Sequence, residues 1–117
     1  MKKYSLILFG GNRLKENAPM TNVIEFLSKK KIDFIVFTDQ IHFKKLISKT
    51  NTFGFFLKKK KIPYFLSKRL KLKDIKKFTN SETKGFSLNS IWRFNDDVIK
   101  YFNGNLFNYH AGDLPTE

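Results

Sequence analysis

An amide and an imidazole lie two residues apart near the end of the chain. Asn108 and His110 fall on and just after an apolar stretch, residues 106–109, that is predicted to form a strand. Alternation along a strand points both side chains to one face. The amide N–H can stabilise an oxyanion and the imidazole can transfer a proton, so the pair could act jointly on a carbonyl group. An Asn-x-His pair is also common on ordinary protein surfaces.

A second candidate is the loop after the first apolar run. Adjacent glycines let backbone N–H groups approach an anion, and a nearby arginine adds positive charge. We therefore expect substrate contacts at Gly10, Gly11, Asn12 and Arg13. The spacing matches neither the dinucleotide-binding nor the P-loop pattern, and a tight turn that requires positive φ also explains the glycines.

Apolar periodicity predicts strands that alternate with helices. The strands are expected at residues 4–9, 32–38, 64–66, 86–92 and 106–109. The helices are expected at residues 20–27, in two pieces across 41–61 with a break at Gly54, at 73–78 and at 96–102. The sequence shows no internal repeat, and His42, which opens a lysine-rich helix, is expected on the surface.

The last helix has the clearest boundaries. Asn95 precedes two acidic residues, which are favoured in a first helical turn, and Asn103-Gly104 ends the helix. Its buried face is expected to comprise Phe94, Val98, Ile99 and Phe102.

This order of elements predicts one α/β domain over residues 1–117, with a mostly parallel, Rossmann-like sheet. Ligands bind outside the carboxyl ends of the strands in such sheets. The loops that follow Phe9, Trp92 and Tyr109 are therefore expected to carry the site.

The formal net charge is +13, and only three of the 23 basic residues are arginine. Such a charge suits a small basic RNA-binding module, which is one alternative function. A lysine-rich, alanine-poor composition also follows from adenine- and thymine-rich codons. In that case the lysines should be spread over all helices and not gather on one face, and residues 58–61 should be a solvated helix end.

Cysteine is absent, which excludes disulfides and thiolate metal sites. The apolar run at residues 4–9 is too short for a signal peptide, and no stretch approaches the length of a membrane span. We therefore expect a cytoplasmic protein without a membrane partner.

The segment FNYHAGDLP, residues 107–115, resembles the N-x-H-x-x-x-L-P signature of the formyltransferase family. This family includes methionyl-tRNA, glycinamide ribonucleotide and amino-sugar N-formyltransferases. Residues 86–94, FSLNSIWRF, resemble the strand and loop that precede a short helix in the family. The resemblance covers residues 85–117.

The resemblance implies that a substrate amine attacks the formyl carbon of 10-formyltetrahydrofolate. Asn108 would hold the oxyanion, and His110 would stabilise that charge and help to move protons. The residues implied to adjoin the folate are Trp92, Arg93, Phe94, Leu114 and Pro115. The acceptor is expected to be a small amine, such as a nucleotide-linked amino sugar or a purine precursor, and tRNA is the less favoured alternative.

The family also uses a downstream aspartate, whereas this sequence ends at Glu117. We therefore expect an N-terminal formyltransferase-like domain that is incomplete at its C-terminus and weakly active or inactive alone. An exposed sheet edge at residues 106–109 would then permit self-association. A remnant without function is the remaining alternative.

Overall fold

Five short apolar segments form the strands of this α/β protein. The computed structural model describes residues 2–11, 19–88 and 90–109. The strands are β1 (Leu6–Gly10), β2 (Phe34–Thr38), β3 (Tyr64–Leu66), β4 (Lys84–Leu88) and β5 (Leu106–Tyr109). They form one sheet in the order β3-β2-β1-β4-β5, with every neighbouring pair parallel. The prediction of an α/β fold with a parallel sheet is confirmed.

Helical segments connect the strands, as a parallel sheet requires. They are α1 (Pro19–Lys29), α2 (Gln40–Phe43), α3 (Phe53–Lys59), α4 (Leu72–Phe78) and α5 (Asp96–Phe102). None of the helices in the described ranges combines the length and apolar character needed to cross a bilayer.

Alternation along the central strands divides the core between the two faces of the sheet. Leu8 and Val36 pack with residues of α1 and α3 on one face. Phe9 and Phe37 pack with residues of α4 and α5 on the other face. Because β1 and β2 are covered on both sides, their side chains are almost entirely apolar, as the continuous apolar runs in the sequence predict.

The break in the second helical region lies elsewhere than predicted. An antiparallel bridge between Leu46 and Thr52 separates α2 from α3, and the Thr52 hydroxyl accepts a 3.0 Å bond from Phe55 N that caps α3. Gly54 lies inside the first turn of α3. A Cβ atom there would come within 2.6 Å of Cε2 of Phe43, so close packing accounts for this glycine.

Strand β4 also ends earlier than predicted, at Leu88 rather than at Trp92. The Ser90 hydroxyl accepts a 2.9 Å bond from the backbone N–H of Trp92. In a continued strand, this backbone N–H would instead donate to a carbonyl of the neighbouring strand. The chain therefore leaves the sheet as an irregular segment, residues 90–95, before α5 begins.

The two ends of α5 match the sequence prediction in position. Asn95 occupies the N-cap position, although its side chain makes no capping bond. Asn103 adopts the left-handed conformation, with φ of 48°, and ends the helix. Its amide N–H donates to the carbonyls of Ile99 and Lys100. The turn delivers the chain to β5, which pairs with β4 and lies at one edge of the sheet.

Candidate functional site

A cavity of about 420 Å³ opens at the carboxyl edge of the sheet, beside β4 and β5. Ser87 on β4 is the register partner of Asn108 on β5, so alternation places their side chains on the same face. The cavity is lined by Ser87, Ser90, Trp92, Arg93, Phe94, Ile99 and Asn108. Its volume falls in the range of about 300–1,000 Å³ that is usual for small-molecule sites.

Contacts on two sides hold the aromatic wall of this cavity, which we name the Asn108 cavity. The indole N–H of Trp92 donates to the Lys68 carbonyl at 3.3 Å. The ring of Phe94 meets the buried ring of Phe9 edge to face, with centroids 5.1 Å apart. Both wall residues are half-buried and line the cavity. Packing therefore fixes the wall, and Arg93, which lies between Trp92 and Phe94 in the sequence, is exposed.

The Asn108 cavity combines groups with complementary chemistry. An amide and two hydroxyls can donate and accept hydrogen bonds, and a guanidinium can bind a carboxylate or phosphate in bidentate fashion. The rings of Trp92 and Phe94 offer flat apolar surfaces. Such a set suits a planar, partly polar molecule that carries an anionic group.

Ile99 shows why one sequence prediction was wrong. Helical spacing places it on the same stripe as Val98 and Phe102, which are buried, yet Ile99 is 48% exposed. The difference arises because Ile99 lines the open cavity rather than the core.

The structure brings four of the predicted site residues together: Asn108, Trp92, Arg93 and Phe94 line one cavity. The other predicted residues of this group, His110, Leu114 and Pro115, lie outside the described residues. Asn12 and Arg13 of the predicted substrate loop also lie outside them.

Gly10 and Gly11 have structural reasons to be glycines. Gly10 has φ of +125°, and a Cβ atom there would come within 2.0 Å of the Leu88 carbonyl oxygen. The N–H of Gly11 donates to that same carbonyl at 3.2 Å, which joins the ends of β1 and β4. A Cβ atom on Gly11 would lie 2.5 Å from Cβ of His42. Neither glycine lines the Asn108 cavity.

His42 is buried, at 7% exposure, so the expected surface position is wrong. Its Nδ1 atom lies 2.7 Å from Oδ1 of Asp39, and its backbone N–H donates to Oδ2 at 3.0 Å. An ionised carboxylate only accepts hydrogen bonds, so opposite such a group Nδ1 is the ring atom that carries a hydrogen. The spacing Asp-x-x-His after a buried strand is typical of an N-cap, and it was the sequence feature that could have predicted this pair.

A second cavity, of about 370 Å³, borders Ile91, the residue before Trp92. It is lined by Asp39, Gln40, Ile41, Lys68 and Ile91. Because Trp92 bonds to the Lys68 carbonyl, this one contact supports a wall of each cavity. The carboxyl edge therefore offers two neighbouring compartments.

Among the described residues, no group of three or more His, Cys, Asp or Glu side chains could hold a metal ion. A carboxyl group with a perturbed pKa, that of Asp33, lies at the opposite end of the strands. There the Ser5 hydroxyl donates to Asp33 at 2.8 Å and holds the pKa of that carboxyl below its ordinary value.

No protein-family model, curated protein or solved structure significantly matches this chain.

Proposed function

We propose that this chain is an N-formyltransferase-like protein that acts in the cytoplasm, transferring a formyl group from 10-formyltetrahydrofolate to a substrate amine. The observation that carries the proposal is the Asn108 cavity, in which Asn108 shares one opening with Trp92, Arg93 and Phe94. An oxyanion donor and a wall suited to a planar anion thus border the same space. The sequence resemblance over residues 85–117 supports the same chemistry.

Each lining group has a role in the proposed reaction. The flat pterin and benzoyl rings of the donor would lie against Trp92 and Phe94, because ring faces and edges attract one another. Arg93 would bind a carboxylate of the donor's glutamate tail. The hydroxyls of Ser87 and Ser90 would hydrogen-bond to polar ring atoms.

Transfer would proceed by addition and elimination. The lone pair of the acceptor nitrogen attacks the formyl carbon, and the carbonyl π electrons move to oxygen. The Asn108 amide N–H stabilises this oxyanion. Collapse of the tetrahedral intermediate breaks the bond to N10, which takes the electron pair and a proton. The acceptor nitrogen loses a proton, and His110 is the proposed group for these proton movements.

A small acceptor suits this geometry, and a nucleotide-linked amino sugar is the proposed class. Two compartments at one edge allow the amine to reach the Asn108 cavity while the rest of the acceptor occupies the neighbouring cavity beside Lys68.

Steady-state assays test the proposal with 10-formyltetrahydrofolate and a panel of amines, with donor binding measured alongside. Asn108→Ala should lower kcat roughly a hundredfold, because loss of one oxyanion donor costs about 3 kcal/mol in the transition state. His110→Ala should cost at least as much, and donor binding should survive both changes. The matched control is Asn105→Ala, at the opposite end of β5, which should leave turnover unchanged. Near-normal turnover in both site variants would refute the assignment.

A further inference from the structure

Lysines at the ends of several helices lie together, near the amino ends of the strands. Four helices carry lysine in the last turn: α1, α3, α4 and α5. Each of these helices precedes a parallel strand, so its last turn lies at the edge where the strands begin. These helix ends therefore lie opposite the Asn108 cavity, which opens at the carboxyl ends of the strands. Topology therefore brings the lysines of these helix ends together, while other lysines, such as Lys68 and Lys71, lie elsewhere in the fold.

Two of these helix ends repeat one sequence and one conformation. Residues 29–34 read KKKIDF and residues 58–64 read KKKKIPY. Lys31 and Lys61 are left-handed, with φ of 59° and 58°. In both turns the next residue, isoleucine, donates to the carbonyl five residues before it, at 3.1 and 2.9 Å. The two lysine-rich segments therefore form the same kind of turn between a helix and the next strand.

The two corners are neighbours because β2 and β3 pair directly. Lys60 reaches Glu25 on α1 at 3.7 Å, which links the two helices. We name the combined surface the lysine corner, comprising Lys29, Lys30, Lys31, Lys58, Lys59, Lys60 and Lys61.

The charge of the lysine corner is largely uncompensated. Within the described residues, Lys60 alone of the seven lysines forms an ion pair. The nearby carboxylate of Asp33 accepts bonds from the backbone and side chain of Ser5 instead. Such a concentration of unpaired ammonium groups attracts a polyanion.

Exposed aromatic rings accompany the cations. Phe26 is 56% exposed and Phe55 is 47% exposed. The ammonium of Lys30 lies 5.8 Å from the Phe26 ring centroid, and that of Lys59 lies 5.9 Å from the Phe55 centroid. A ring face beside a cation matches a nucleotide, whose base stacks while its phosphate pairs with the charge.

A groove of about 460 Å³ runs between α1 and α3 at this corner. It is lined by Glu25, Ile47, Asn51, Phe55, Phe56, Lys59 and Lys60. A recessed groove with an amide on its wall suits an unpaired base, whereas a flat lipid surface or a rigid duplex would not enter it.

We propose that the lysine corner, with Phe26, Phe55 and the adjoining groove, binds single-stranded nucleic acid through its phosphates and unstacked bases. This binding is separate from the proposed formyl transfer, since it uses the opposite edge of the sheet.

Fluorescence anisotropy of labelled 12-nucleotide RNA and DNA strands, titrated with the intact chain at several salt concentrations, tests the proposal. The corner variant replaces Lys30, Lys31, Lys59 and Lys61 with Gln. The matched control replaces Lys68, Arg69, Lys71 and Lys73, which lie between the carboxyl end of β3 and the first turn of α4, with Gln and so removes the same charge. A third variant replaces Phe26 and Phe55 with Leu, and circular dichroism checks that each variant is folded.

The corner variant should bind roughly a hundredfold more weakly at 0.1 M salt. The slope of log K against log salt should fall by about 3 in magnitude, since each phosphate contact on a single strand contributes about 0.7. The matched control should lose less than about fivefold by the same electrostatic reasoning. The phenylalanine variant should lose about tenfold because a stacked base is lost. The tighter-binding strand shows whether the natural ligand is RNA or single-stranded DNA.

Equal losses in the corner and control variants would overturn the proposal, because binding would then follow net charge alone. No saturable binding of either strand, or binding of a duplex or of vesicles with acidic lipids at least as tight as that of single strands, would also overturn it. Donor binding at the Asn108 cavity is independent of each outcome.

Discussion

The imidazole of His42 and the carboxylate of Asp39 form a buried pair, with Nδ1 and Oδ1 2.7 Å apart. The backbone of Gly11 lies so close to the His42 side chain that a Cβ atom there would come within 2.5 Å of it. The buried His42 side chain, which follows β2, therefore requires glycine at the residue that follows β1.

Removing the Asp39 carboxylate should destabilise the fold. Asp39→Ala leaves the buried Nδ1–H and the His42 backbone N–H without their acceptor, which should lower the free energy of unfolding by about 2–3 kcal/mol. Urea denaturation measures the change. The control is Asp96→Ala, an exposed carboxylate in the first turn of α5, which should cost about 0.5 kcal/mol. Equal costs would contradict a structural role for the buried pair.

Lys61 should be replaceable by glycine with a gain in stability. Its φ of 58° is a conformation that glycine adopts without strain. Lys61→Gly should raise the free energy of unfolding by about 0.5–1 kcal/mol. Lys59→Gly removes the same charge at a residue within α3, so it should instead lower stability. Changes of the same sign in both variants would show that charge, not conformation, decides the effect.

Stability should depend on pH through Asp33. The hydrogen bond from the Ser5 hydroxyl is the largest cause that lowers its pKa, so the folded state favours the ionised carboxyl. That contribution is fully present above the unfolded pKa and is lost as pH falls through the folded pKa. Ser5→Ala should lower the free energy of unfolding by about 1 kcal/mol at pH 7. The difference between the wild type and this variant should become smaller below about pH 4. The exposed Ser28→Ala should show no such pH-dependent gap.

Self-association should occur at the β5 edge. Phe107 is 44% exposed and stacks on Phe86, with ring centroids 5.2 Å apart. Strand β5 pairs with β4 on one side only among the described strands. Phe107→Lys should abolish the concentration-dependent association seen by sedimentation velocity. Ile41→Lys, at a more exposed residue on the carboxyl edge, is the control and should leave association intact.

Sequence patterns predicted the elements best where turns bound short apolar runs. The predicted bounds of β3 and β5 agree with the structure, because Pro63 precedes one strand and Asn103-Gly104 precedes the other. The end of β4 was missed because Ile91 and Trp92 continue the apolar pattern. Those residues are apolar since they border the two cavities, and no periodicity distinguishes a cavity wall from a core.

The shared position of Asn108 and residues 92–94 was predictable because neighbouring parallel strands end at one edge. The burial of His42 was not, since it depends on Gly11, 31 positions earlier, whose backbone lies close to the side chain. The lysine corner needed the strand order as well, because only the pairing of β2 with β3 brings its two halves together.

Trp92 can report whether the proposed formyl donor binds beside Asn108. It is the single tryptophan of the chain, so its indole N–H gives one assignable NMR signal. Titration with 10-formyltetrahydrofolate should shift this signal saturably. Arg93→Gln should weaken binding about tenfold through loss of a charged hydrogen bond, and the distant Lys29→Gln should leave it unchanged. An indole signal that does not shift, or equal weakening in both variants, would contradict the proposed site.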